Sequence, residues 1–219
     1  VPYPFQNNLH RLDPADRWAC VEGLLEAYQN AAAGPKRPDD FEAWMLATFG
    51  PGITELFMYP YNFKVWAIPP PLMDFGWIGE RVSVPKLASV LKSVCTGQDE
   101  VSWGPNRTFR FPKHGGTGAV WNGVGRLLPA ERISLSAAVQ HVDAANRTAR
   151  SADGTVWSYR HLISTVPLNK LIELAPGVVP AKAGQGLRFS ATNVVGVGLE
   201  GQPPDHLRTK CWMYFPEDN

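Results

Sequence analysis

The residues with most chemical potential are aromatic, amide and guanidinium side chains gathered in three stretches. They are Tyr61-Asn62-Phe63-Lys64-Val65-Trp66, then Gly79-Glu80-Arg81, then Trp103-Gly104-Pro105-Asn106-Arg107. A flat heterocyclic base stacks on Tyr or Trp, and an Arg fork grips a diphosphate through paired hydrogen bonds. The same aromatics would equally serve a core, and the same arginines a solvated loop. By themselves they give a polar-aromatic cleft suited to an anionic ligand. Gly115-Gly116-Thr117-Gly118 follows an alternating stretch and precedes an apolar helical run. Its amides could face an anion at a helix N-terminus. A tight turn would use the same glycines, and the residues leave both readings open.

A literal GxGxxG, Gly196 to Gly201, fails its context test. It lies in a β-branched run and leads into Gln202-Pro203-Pro204, not a helix. It reads as a strand with glycines for close packing. The five histidines have no metal-ligand spacing, so no metal site is expected. Cys20, Cys95 and Cys211 form neither a CxxC pair nor a disulfide framework, which favours a reducing compartment. With 21 Lys+Arg against 20 Asp+Glu, the net charge of +1 argues against a dedicated nucleic-acid binder. No run approaches about 18 apolar residues, so no membrane span is expected.

The elements that must position these groups fall into two halves. Asp13-Pro14 opens a helix running from Ala15 to Ala33, and Asp39-Asp40 opens another from Phe41 to Phe49. Gly50-Pro51-Gly52 should break the chain before a short helix, Ile53 to Tyr59. Pro69-Pro70-Pro71 should impose an extended segment, followed by a helix from Lys86 to Val94. Beyond Pro105, strands are expected at Thr108–Phe111, Ile133–Ala144, Thr148–Ser151 and Thr155–Tyr159, with Asp153-Gly154 as a hairpin turn. Further strands are expected at His161–Thr165, Ser190–Leu199 and Lys210–Phe215, and helices at Ala119–Leu128 and Pro167–Leu174. With 20 Gly and 20 Pro in 219 residues, turns and loops should be abundant.

Taken in order, these segments resemble UDP-galactopyranose mutase of the eukaryotic, fungal-type branch. The matching stretches begin with Val1-Pro2-Tyr3-Pro4-Phe5-Gln6-Asn7-Asn8, Pro60 to Ala67, and Trp77-Ile78-Gly79-Glu80-Arg81-Val82. They continue with Trp103 to Asn106, Thr108 to Pro112, Gly115 to Gly118, and Lys210-Cys211-Trp212 with Tyr214 to Asn219. The resemblance implies an FAD-dependent isomerase of the galactofuranose and cell-wall pathway. Such an enzyme interconverts UDP-galactopyranose and UDP-galactofuranose through an adduct between reduced flavin N5 and the sugar. An amine-oxidase-like flavoenzyme or a nonenzymatic UDP-sugar-binding module are the alternatives. The implied partner is a UDP-galactose small molecule, and the implied location cytoplasmic.

Carried over by position, Tyr3, Phe5 and Gln6 match the uridine pocket, and Asn62 and Trp66 further nucleotide contacts. Arg81 matches the diphosphate arginine and Asn106 a residue approaching the sugar; these two are the catalytic candidates. Trp212 and Tyr214 match aromatics flanking the sugar-diphosphate. For FAD, Val139 matches a backbone contact to the adenine, and Gly115, Gly116 and Gly118 belong to a family motif. The implied fold is α+β, part of an α/β Rossmann-like FAD enzyme. Residues 1–104 form a mainly helical substrate domain, and 105–219 an antiparallel sheet with part of the FAD domain. The family's glycine-rich FAD loop would precede Val1 and its last phosphate ligands would follow Asn219. The chain is therefore expected to be an internal portion, inactive alone and unable to hold FAD firmly.

Overall fold

The computed structural model describes residues 1–34, 36–79, 82–100, 110–178, 180–208, 210 and 212–216. They form a mixed fold, helices with a small three-stranded antiparallel sheet, divided into two compact units. One unit is Val1–Phe109 with Ser190–Asn219; the other is Arg110–Phe189.

The first unit is helical. Helix α1, Pro14–Ala33, starts where the sequence says it should. Asp13 Oδ1 accepts from the amides of Ala15 (3.0 Å) and Asp16 (3.1 Å), with Pro14 in the first turn. Helix α2, Phe41–Ile53, is capped by Asp40, whose Oδ1 accepts from Ala43 N at 2.8 Å. Gly50 interrupts it with φ 74°, and Pro51 restarts it. The expected break at Gly50 is thus a kink, after which the chain is helical to Trp66. Thr54–Met58 forms one π-helical turn, and α3 covers Tyr59–Trp66. Ala67 closes α3 in the left-handed conformation, its amide donating to Phe63 O.

Pro70–Leu72 makes a single 3-10 turn and not the extended segment expected from three prolines. The first residues of a turn need no amide donor, so proline is tolerated there. Helix α4, Leu87–Thr96, ends at Gly97 with φ 68°. The core is one cluster including Leu9, Leu24, Phe41, Met45, Phe49, Ile53 and Val90, each fully buried.

Helices α1 and α2 touch backbone to backbone. A Cβ on Gly52 would stand 2.4 Å from Ala19 O, and one on Gly50 2.1 Å from Gly23 O. A Cβ on Gly23 would meet Pro51 Cδ at 2.9 Å. Only glycines allow this approach, and it sets where the π turn and α3 leave the core.

In the second unit, helix α5 covers Gly118–Gly125 and buries none of its residues. Strands β1 (Val139–Asp143), β2 (Thr148–Ser151) and β3 (Val156–Ser158) follow in order. The β1–β2 turn is held by Asn146, whose N and Nδ2 donate to the Asp143 carboxylate at 2.9 and 2.7 Å. The expected Asp153-Gly154 hairpin is present, with Gly154 at φ 87° and Ser151 Oγ donating to Asp153. Helix α6, Leu168–Leu174, packs Leu171 against Val142, Ala149 and Ala175.

Several expected strands are not formed. The Ile133–Ala144 expectation shrinks to Val139–Asp143, because Ala130–Arg132 turns and Ser136 sits at φ 57°. His161–Thr165, Ser190–Leu199 and the described part of Lys210–Phe215 carry no strand. Their β-branched composition is real, but a strand needs a hydrogen-bonded neighbour, and among the described residues none lies alongside. Nor do Gly196 and Gly198 serve close packing: no atom lies within 4 Å of where a Cβ would stand. Of the Thr108–Phe111 expectation, residues 108 and 109 lie outside the described residues, and Arg110 and Phe111 carry no strand.

Candidate functional site

The first unit holds a cleft of about 1040 Å³. One wall is the N-terminal turn, Val1 to Phe5, continuing to Arg11 and Leu12. The floor is Leu56 and Phe57 of the π turn, and the far wall is the segment from His206 to Pro216. Every lining residue belongs to that unit.

An aromatic ladder crosses it. Phe5 stacks on Phe57 with ring centroids 4.5 Å apart, and Phe57 on Tyr61 at 5.3 Å, both nearly parallel. Tyr61 meets Tyr214 edge-on at 5.2 Å, and Tyr214 meets Tyr3 at 5.5 Å. Phe57 lies on the π turn and Tyr61 four residues on, in α3; π turns inside helices are frequent at functional sites. Burial pushes the Tyr61 hydroxyl up to about 12, with Tyr214 and Tyr3 adding to the effect. Tyr3 is raised too, by burial and by Tyr214. Both phenols therefore stay neutral at physiological pH and can donate to an anion.

Charge enters from the side. Arg11 pairs with Asp99 through two bonds, Nε to Oδ1 at 3.0 Å and Nη2 to Oδ2 at 2.9 Å. The guanidinium hydrogen bond holds the Asp99 carboxyl below the usual carboxylate range. His10 Nε2 lies 3.0 Å from Asp99 Oδ1, within ion-pair distance but not aligned as a hydrogen bond, while its Nδ1 meets Ser93 Oγ at 2.9 Å. Asp16, His206 and Lys210 complete the polar rim.

Of the residues singled out in the sequence, Tyr3, Phe5, Trp212 and Tyr214 share this cleft. Gln6 and Asn62 do not line it. Gln6 is buried with Nε2 donating to Ser83 O at 2.6 Å. Asn62, also buried, donates Nδ2 back to Met58 O at 2.7 Å across the π turn. Trp66 stands apart, against Trp77 at 5.2 Å. Arg81 and Asn106 lie outside the described residues. Phe57 and Arg11 line the cleft without any motif in the sequence to mark them. Tyr61 lies in a marked stretch, and only the tertiary ladder gives it a role.

The residues matched to FAD stand in the second unit. Among the described residues β1 pairs only with β2, so Val139 sits on an edge strand with one side open. Gly115 (φ 78°) and Gly116 (φ 58°) shape the turn before α5, and no atom lies within 4 Å of a Cβ placed on Gly116 or Gly118. An open strand edge and an uncrowded glycine turn fit the rim of a dinucleotide such as FAD. Among the described residues they do not enclose one.

No protein-family model matches the chain. A crystal structure of reduced UDP-galactopyranose mutase superposes with a TM-score of 0.91 at 41% sequence identity, covering 100% of this chain. The resemblance to UDP-galactopyranose mutase holds. It extends to the fold, since the superposition covers the whole chain. The chain spans about half of the mutase's length, 47%. Among the described residues no helix is long and apolar enough to cross a membrane. Nor do any three His, Cys, Asp or Glu side chains among them gather as a metal site.

Proposed function

We propose that the protein carrying this chain is an FAD-dependent isomerase of the eukaryotic mutase type, interconverting UDP-galactopyranose and UDP-galactofuranose. The observation that carries the reading is the aromatic ladder Phe5–Phe57–Tyr61–Tyr214–Tyr3. It lies in a cleft bearing four of the residues that match the family's UDP-sugar contacts. Uracil stacks on the Tyr3 and Phe5 wall, where a flat ring gains area without a charge to desolvate. Tyr214 and Trp212 flank the sugar and diphosphate, and Tyr214 donates its hydroxyl to a phosphate oxygen. Arg81 neutralises the diphosphate as it departs and returns, and Asn106 orients the sugar. The β1 edge at Val139 would contact the adenine of FAD, and the turn Gly115, Gly116, Gly118 would contribute to the same cofactor's site. Reduced flavin, when bound, supplies the nucleophile for the anomeric carbon. This chain's residues supply position, charge balance and exclusion of water from a reacting glycosyl centre.

The test is conversion of UDP-galactopyranose by a protein of the mutase's length carrying this sequence, with its flavin reduced by dithionite. The furanose should appear with reduced flavin and not with oxidised flavin. No furanose under either condition would contradict the reading. A second reading, a UDP-sugar-binding module, is favoured by one fact: the cleft is built within a single unit. Its mark would be UDP binding without conversion in that same assay.

A further inference from the structure

We infer that Asn8 is a positioning residue for the cleft. It fixes the Tyr3 wall to Glu100, next in sequence to the cleft residue Asp99. The inference rests on the proposed UDP-sugar reading for its ligand, and on geometry alone for its action.

Asn8 is fully buried at the junction of two 3-10 turns, Phe5–Asn7 and Leu9–Arg11. Its side-chain amide pairs with the Glu100 peptide in both directions. Oδ1 accepts from Glu100 N at 2.7 Å, and Nδ2 donates to Glu100 O at 3.0 Å. The remaining Nδ2 proton serves Pro4 O at 2.9 Å, with Pro2 O at 3.3 Å sharing the donor. One side chain thus does what a neighbouring strand would do, and joins residues 92 positions apart. Its acceptors bracket Tyr3 on both sides.

The neighbouring contacts repeat the pattern. Ser93 Oγ donates to Gln98 O at 2.8 Å, and Arg11 holds Asp99. Gln98, Asp99 and Glu100 are therefore each tied by a separate partner. Gln6, one turn earlier, ties Ser83 O in the stretch just after Arg81. The N-terminal turns thus hold Ser83 and the Asp99–Glu100 stretch. A core residue kept only for stability would not need to be an amide matched to a peptide's donor and acceptor. A buried amide whose partners all lie at one cleft wall and one segment base is a positioning device.

The test uses hydrogen exchange on this chain and its Asn8→Asp variant. A carboxylate keeps the size but turns two donors into acceptors facing three carbonyls. In wild type the Glu100 amide should exchange as slowly as amides of the α1–α2 core. In the variant, peptides containing Tyr3 and Glu100 should lose protection together by at least about tenfold, while α1 and α2 keep theirs. A fast Glu100 amide in wild type would overturn the inference, even if the variant fails to fold. So would equal loss across the core, or loss at only one of the two segments. UDP titration of the same proteins separates the two ideas. If wild type binds UDP, the variant's Kd should rise about tenfold or more, and an unchanged Kd would overturn the positioning role. If wild type does not bind, the UDP reading fails for this chain while the exchange result still decides Asn8.

Discussion

At the scale of single residues, the cleft depends on aromatic rings in contact one after another. Replacing Tyr214 with alanine removes two ring contacts and a hydroxyl from one wall. Aromatic pairs are worth roughly 0.5–1.5 kcal/mol beyond burial, so UDP affinity should fall about tenfold. A Trp-fluorescence titration reads this directly. The raised hydroxyl of Tyr61 has a pH consequence of definite sign. Its folded value lies above the unfolded one, near 10, so its contribution to stability is fully present below pH 10. It is lost as pH rises toward about 12. Denaturation midpoints should therefore fall between pH 10 and 12, and part of the phenolate absorbance should appear only with unfolding. Cys20 offers a cleaner contrast. Burial pushes its thiol up to about 12, whereas Cys95 is exposed. Iodoacetamide at pH 8 should label Cys95 and spare Cys20 in the folded chain, as peptide mass spectrometry would show.

Element by element, what was legible in the sequence was what is local. Asp13-Pro14, Asp40 and Asp153-Gly154 act through neighbours two or three residues away, and each stands where its chemistry predicts. The Ser190–Leu199 strand was not legible as absent, because composition shows a preference for pairing and not whether a partner exists. The π turn was equally hidden: the kink at Gly50 that precedes it lies against Gly23 of α1, far away in the sequence. That interface makes a sharp expectation. Gly52→Ala drives a methyl into the Ala19 carbonyl and should cost more than about 3 kcal/mol, since overpacking here has no flexible neighbour to yield. Asp40→Ala removes one cap and should cost about 1 kcal/mol. Urea denaturation of the two variants should separate them clearly, with Gly52→Ala much the worse.

For the whole molecule, the two units are unequally built. The first has a core cluster of twelve buried residues and the second a cluster of three. In the second unit, helix α5 exposes Val120, Trp121 and Val124, and Ile163 is also largely exposed. Amides of α1 and α2 should therefore exchange far more slowly than those of β1–β3, because opening free energy follows buried contact. Flavin fluorescence should show no stoichiometric tight binding of FAD to this chain, given that the described residues matched to it offer a strand edge and a glycine turn. The site was half legible at this scale. Family-like motifs brought out Tyr3, Phe5, Trp212 and Tyr214, whereas Phe57 and Arg11 join them only through folding, and Gln6 and Asn62 turn inward to the Ser83 and Met58 carbonyls.

The central claim is that this cleft receives a uridine diphosphate sugar. The measurement that meets it most directly is titration of the chain with UDP, followed by the fluorescence of its tryptophans, Trp212 at the cleft wall among them. The account expects a saturable change that Tyr214→Ala weakens about tenfold and that inorganic phosphate does not reproduce. No change at millimolar UDP, or an equal response to phosphate, would contradict it.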